Sequence, residues 1–130
     1  KNQQLQAKYR LIADNEVRYE MVNCDDADIV IVAFGSAARI SHKAMETARE
    51  QGRRVGLFRP ITLWPFPTDA ISALCDRVKG LLTVEINAGQ MVFDVRYAAG
   101  RVPVNHYGRL GGIVPDPDEI IAELDKFDLA

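Results

Sequence analysis

Cysteine is scarce in this 130-residue sequence: Cys24 and Cys75 stand far apart, and neither belongs to a CxxC pair. A disulfide framework, a zinc site and an iron–sulfur ligand set all lack the residues they need. Both cysteines read as small buried apolar side chains. Histidine is equally rare, and neither His42 nor His106 sits in a partner motif, so packing or surface roles are expected rather than general-base work. No charge of one sign prevails: 16 Lys and Arg face 18 Asp and Glu, for a formal net charge of −2. A nucleic-acid partner is therefore excluded, because phosphate binding needs clustered cations. The longest apolar run, Ile29 to Phe34, falls far short of the roughly 20 residues that cross a bilayer. No basic segment leads into an apolar one at the start, so neither a membrane nor a secretory route is expected, and the compartment is read as cytoplasmic. The chain opens at Lys1 rather than at Met, which suggests a piece of a longer polypeptide.

What is present is ordinary globular material. Apolar residues make up 48% and charged residues 26%, enough to close one core and too apolar for disorder. The length suits one domain. From Gln3 to Val22 apolar residues recur at Leu5, Tyr9, Ile12 and Val17, and spacings of three and four predict an amphipathic helix. Residues 1–23 are accordingly expected to be a helical lead-in from a preceding domain, and residues 24–130 the α/β domain itself. Ile29 to Phe34 is β-branched, without polar alternation, and ends at Gly35; a strand covered on both faces is predicted there. Ser36 is expected to cap the next helix, with Ile40, Ala44 and Ala48 inward and Gly52 as its stop. Arg54 to Phe58 predicts a second strand. Thr68 is expected to cap a helix carrying Ile71, Leu74, Cys75 and Val78 on one side, before Gly80. Leu81 to Ile86 predicts a third strand, Gly89 to Gly100 a helix with Met91, Val92, Val95 and Ala99 inward, and Val102 to Tyr107 a fourth strand. Asp116-Pro117-Asp118-Glu119 has the form of a capping box with proline in the first turn. Strand and helix alternate throughout, which predicts a parallel sheet between two helical layers.

In such folds ligands gather at the C-terminal ends of the strands. Four segments are expected at that edge: Gly35-Ser36, Arg59 to Pro67, Asn87 to Gln90, and Gly108 to Pro115. Gly35 and Ser36 place backbone amides and a hydroxyl at a helix start, a weak candidate anion site, although neither G-x-G-x-x-G nor a Walker lysine is present. A phosphate-accepting receiver would need carboxylates at Phe34-Gly35-Ser36, and a serine hydrolase a G-x-S-x-G elbow; the chain has neither. Arg59 to Pro67, RPITLWPFP, is stiffened by three prolines and carries the only Trp, Trp64, beside Phe66. Rigid aromatics of this kind either anchor an interface or fold back on the core. Glu85 near the end of a buried strand needs a partner, which Arg59 or Arg109 is placed to supply.

Ala27–Ser36, the RPITLWPFP segment, Val84–Val95 VEINAGQMVFDV and Tyr107–Gly112 YGRLGG recur in that order in one known family. In them the chain resembles the C-terminal domain of the α-type subunit of 2-oxoacid:ferredoxin oxidoreductases, above all the 2-oxoglutarate and 2-ketoisovalerate types. The likeness covers nearly the whole chain; it departs from the pattern at Leu110 and Ile113. It implies a transketolase C-terminal-like fold, three-layer αβα with a mainly parallel five-stranded sheet and room for one antiparallel strand. For the complete enzyme it implies thiamine diphosphate, Mg, iron–sulfur clusters and coenzyme A, with ferredoxin as electron acceptor. The implied partners are other domains of the same subunit, a thiamine-binding β-type subunit and an iron–sulfur subunit; homodimerisation is left open. This domain is expected to bind no cofactor and to perform no catalysis. Its expected contribution is an interface surface of Arg59, Trp64, Phe66, Glu85, Asn87, Gln90, Tyr107 and Arg109. Two other readings stay open: a stand-alone module for a small anion or nucleotide, and the C-terminal domain of a different thiamine enzyme.

Overall fold

A computed structural model describes residues 9–12, 17–61, 66–86, 91–108 and 115–127. Among the described residues six strands and four helices follow in chain order: β1 (Tyr9–Ile12), β2 (Val17–Val22), β3 (Ile29–Ala33), α1 (Gly35–Glu50), β4 (Val55–Pro60), α2 (Thr68–Leu74), β5 (Gly80–Glu85), α3 (Met91–Ala99), β6 (Val104–Gly108) and α4 (Pro117–Leu124). They build one sheet in the order β1-β2-β4-β3-β5-β6. The four strands from β4 to β6 in that order run parallel, and β2 joins β4 antiparallel. The five-stranded, mainly parallel sheet expected from the sequence is thus β2 to β6, with short β1 added antiparallel at the outer edge of β2.

β3 shows why the core forms as it does. All five of its residues are buried, with Ile29, Ile31 and Ala33 in one apolar cluster and Val30 and Val32 in the other. Successive strand side chains point to opposite faces, so a run without polar residues demands cover on both sides. One face is covered by α1 through Ala37, Ala38, Ala44, Met45 and Ala48, and by α4 through Ile120 and Leu124. The other is covered by α2 through Ile71 and Leu74, and by α3 through Met91, Val95, Ala98 and Ala99. Each fully buried Val, Leu or Ile contributes about 1.5–3 kcal/mol of transfer free energy. Gly56 in β4 is required by close approach: a Cβ there would stand 2.8 Å from the Asn23 carbonyl oxygen and 3.0 Å from Cys24 Cα.

The N-terminal segment corrects the helix expected over residues 3–22, since residues 9–12 and 17–22 are strands. Val17, Tyr19 and Met21 alternate with Arg18 and Glu20, a period of two lying inside the apparent helical spacing. That alternation lays Tyr19 on Phe58 of β4, with ring centroids 5.0 Å apart and nearly parallel planes. Because β2 pairs with β4, residues from both sides of position 23 share one sheet.

The helix starts also differ in part. α1 begins at Gly35 with Phe34 in the cap position, and Ser36 is an exposed first-turn residue rather than the cap. Thr68 likewise lies inside α2, behind Pro67. At α4 the expected arrangement holds: Asp116 is the cap, Pro117 opens the helix, and the Asp116 N–H donates to Glu119 Oε1 at 2.8 Å. Gly52, at φ +84°, follows the end of α1 as expected. Met91, Val92, Val95 and Ala99 are buried, as the spacing predicts.

Candidate functional site

Ala33, Pro60, Glu85 and Gly108 end the four parallel strands, so the segments after them share one edge of the sheet. At this edge the neighbouring strands β3 and β5 send the chain to opposite faces, β3 into α1 and β5 toward α3. Such a reversal opens the crevice where doubly wound sheets hold ligands. Gly35 and Ser36 are exposed there, and Gly35 takes φ +62° at the first residue of α1.

Glu85 is the most unusual side chain at this edge, a carboxylate only 4% exposed. A buried charge needs hydrogen bonds or an opposite charge to offset desolvation. The sequence points to arginine for this; the structure corrects that for Arg59. Arg59 lies within β4 rather than in a loop and reaches Glu20 directly across the β2–β4 pair, Nη1 to Oε1 at 3.4 Å. Arg109 lies outside the described residues. Glu85 instead accepts the first free N–H groups of α3, from Met91 to Oε1 at 3.2 Å and from Val92 to Oε2 at 3.3 Å. Unpaired amides and the positive end of the helix dipole meet at such a terminus, which is where a carboxylate is best held. His106 completes the cluster. Its Nδ1 is 2.6 Å from Thr83 Oγ1 and 4.0 Å from Glu85 Oε2. Burial pushes the imidazole below its ordinary range; the Glu85 carboxylate pulls it back up, and the Arg96 guanidinium again lowers it.

The expected interface residues separate into several groups. Trp64, Asn87, Gln90 and Arg109 lie outside the described residues. Phe66 and Tyr107 are partly buried, Phe66 against the core on the α2–α3 side and Tyr107 against the core on the α1–α4 side. Arg59 is held by Glu20, and Glu85 is turned into the fold. The sequence reading overlooked the outer face of α3. Phe93 and Tyr97 are 69% and 83% exposed while Met91, Val92, Val95, Ala98 and Ala99 hold the other face in the core. Their spacing of four puts the two rings side by side on one helix face. The signal was legible: a helix whose apolar residues exceed what one buried face can use.

Cys24 is 4% exposed, its thiol near the Leu57 carbonyl oxygen at 3.3 Å, and burial pushes its pKa up to about 12. Burial raises that of Cys75 as well. Among the described residues no group of three or more His, Cys, Asp and Glu is placed to hold a metal ion, and no helix is long and apolar enough to cross a membrane. Two cysteines, one sealed in the core as a thiol, do not fit an iron–sulfur cluster, so no step through such a group is derived for this chain.

Residues 27–120 match the profile of the family described as pyruvate:ferredoxin oxidoreductase core domain II. Among curated proteins, ketoisovalerate oxidoreductase subunit VorB of Methanothermobacter thermautotrophicus is 45% identical over 120 residues, covering 92% of this chain and 34% of that protein. The 2-oxoglutarate synthase subunit KorA of Methanothermobacter marburgensis is 38% identical over 101 residues, covering 77% of this chain and 27% of its own length. Among solved structures, 2-oxoglutarate:ferredoxin oxidoreductase from Magnetococcus marinus superposes with a TM-score of 0.73 at 25% identity, over 83% of this chain and 19% of that one. A split-gene transketolase superposes with a TM-score of 0.69 at 16% identity, over 78% of this chain and 38% of that one, a likeness of fold alone. The chain therefore spans about a third of the length of the VorB relative.

Proposed function

The chain belongs to the pyruvate:ferredoxin oxidoreductase core domain II family, and from that premise we propose that it is a non-catalytic assembly domain of a 2-oxoacid:ferredoxin oxidoreductase. In this reading the complete enzyme decarboxylates a 2-oxoacid oxidatively, passes the acyl group to coenzyme A and reduces ferredoxin. Thiamine diphosphate, magnesium and the iron–sulfur clusters sit on other domains and subunits. The 2-ketoisovalerate type is favoured, since the VorB relative matches over 92% of the chain against 77% for the KorA relative.

The observation that carries the interface role is the exposed Phe93–Tyr97 pair on α3. Large rigid aromatics lose little conformational entropy on docking and are the usual anchors of a protein–protein contact. The sequence-based candidates Arg59, Trp64, Phe66, Glu85, Asn87, Gln90, Tyr107 and Arg109 form a separate part of the proposal, resting on the family resemblance. The test is co-purification of the complete parent polypeptide with its partner subunits, wild type against a Phe93→Ser/Tyr97→Ser double variant and against Trp64→Ala. We expect each variant to recover less partner subunit and to lose 2-oxoacid- and coenzyme A-dependent reduction of a viologen dye. The 130-residue chain with the Phe93→Ser/Tyr97→Ser change should keep its urea midpoint, because exposed positions contribute little to folding. Undiminished assembly of both variants would refute the interface, and a thiamine-loaded wild-type complex without dye reduction would refute the reaction.

A further inference from the structure

β5 and β6 are held together by more than their ladder. In their parallel register Thr83 stands beside His106 and Glu85 beside Gly108. Thr83 is fully buried, and its hydroxyl lies 2.6 Å from His106 Nδ1 and 3.4 Å from the Asn105 carbonyl oxygen. One residue pair further along the same face, Glu85 takes the Met91 and Val92 amides. Two hydrogen-bonded groups, Thr83–His106 and Glu85 with the first turn of α3, therefore stand side by side, with His106 Nδ1 4.0 Å from Glu85 Oε2.

We propose that His106, Thr83 and Glu85 form a proton-operated latch that joins β6 to the start of α3, closed while His106 is neutral and released when it is protonated. A neutral ring suits the site. Its Nδ1 exchanges one hydrogen bond with Thr83, and the two Glu85 oxygens stay committed to the helix. A proton added to the ring creates a cation on a side chain only 25% exposed, 4.0 Å from a carboxylate already engaged. Two relaxations are open to it. Glu85 turns toward the imidazolium and leaves the Met91 and Val92 amides without their acceptor, or the ring swings out to water and gives up Thr83. Either movement uncouples the edge strand from the helix.

The surrounding charges favour release over a tightened ion pair. Among the described residues, β5 and α3 make the main contacts with β6. From β5 the one ionisable side chain is Glu85; from α3 they are Asp94, Arg96 and Tyr97; on β6 itself it is Tyr107. Burial is the largest influence on the ring and opposes the proton, Arg96 opposes it too, and the attraction of Glu85 does not overcome them. A histidine lowered in this way stabilises the closed state above the ring's ordinary value near 6.5. That contribution is lost as pH falls from there through the lower midpoint of the folded chain.

The latch is a property of the chain itself, so the test needs no partner. Exchange of the Met91 and Val92 amides and the His106 ring resonances are followed by NMR on the 130-residue chain between pH 8 and pH 5. The expected result is a His106 midpoint below the ordinary value. Amide protection, corrected for intrinsic exchange, should fall between the ordinary value and that midpoint and level off below it. Each unit by which the midpoint lies below the unfolded value corresponds to about a tenfold loss of protection. His106→Asn keeps a hydrogen-bonding partner for Thr83 and removes the titration, so its protection should be flat with pH. Glu85→Gln should lower the His106 midpoint further. An ordinary or raised midpoint, protection unchanged by pH, or a His106 midpoint indifferent to Glu85→Gln would each overturn the proposal, whether or not the asparagine variant folds.

Discussion

Replacing Glu85 tests how the C-terminal edge of the sheet is built. In Glu85→Ala the Met91 and Val92 N–H groups lose the carboxylate that accepts them, at 3.2 and 3.3 Å, in a site where that carboxylate was 4% exposed. A buried amide left without a partner costs about 1–3 kcal/mol, and loss of a helix N-terminal acceptor typically costs about 0.5–2 kcal/mol. The two figures describe the same bonds and are not summed; water entering the vacated space would recover part of the loss. Both hydrogen bonds are long, which favours the lower half of the range. Working against them, the alanine chain no longer desolvates a carboxylate on folding. The expected net destabilisation is about 1–2 kcal/mol. With a urea m-value of about 2 kcal/mol/M for a domain of this size, the unfolding midpoint should drop by roughly 0.5–1 M. Glu85→Gln retains one carbonyl acceptor and turns an NH2 toward the other amide, so it should fall between wild type and alanine. Urea titrations followed by far-UV circular dichroism, with amide exchange at residues 91 and 92 as local readout, decide the matter. An alanine variant within about 0.5 kcal/mol of wild type would refute the reasoning, because that is the range of surface changes that touch nothing.

Other consequences are as direct. Cys24, with its pKa near 12 and 4% exposure, should resist a disulfide reagent at pH 8 while the half-buried Cys75 is labelled first; equal rates by mass spectrometry would contradict the packing around Cys24. Gly56→Ala should cost about 1–3 kcal/mol by overpacking, since its new methyl meets Asn23 and Cys24 backbone atoms rather than a yielding side chain, and a calorimetric midpoint equal to wild type would refute the contact. Asp26 is held below the ordinary carboxylate range chiefly by its hydrogen bonds to Arg49, at 2.6 and 3.3 Å. A lowered carboxylate stabilises the fold above its unfolded pKa near 3.9, and the contribution is lost as pH falls through the folded value. Asp26→Asn should therefore lower stability by at most about 1 kcal/mol at pH 7 for so exposed a pair, and the difference from wild type should close in acid. A gap that persists at low pH would assign the effect to something other than charge.

Which of these features could be read without coordinates depends on how local their causes are. The uninterrupted apolar run at Ile29–Phe34, the glycine after α1, the Asp116–Glu119 box and the inward face of α3 each depend on neighbours a few residues away. They determined strands, helices, layers and the family likeness from sequence alone. The segment Val17–Val22 carried both a helical spacing and a strand alternation. Only the unpaired edge of β4 decided between them, because Tyr19 reaches Phe58 and Glu20 reaches Arg59 in the extended form alone. The partner of Glu85 was hidden for a similar reason. Arginine is the obvious counter-charge in a sequence, but backbone amides at a helix start carry no residue label, and the fold aims two of them at the carboxylate. Tertiary structure also decided which aromatics are free, since four parallel strands leave α3 one face to bury and turn Phe93 and Tyr97 to solvent. Local chemistry chose the elements; the competition for a limited buried surface chose their partners.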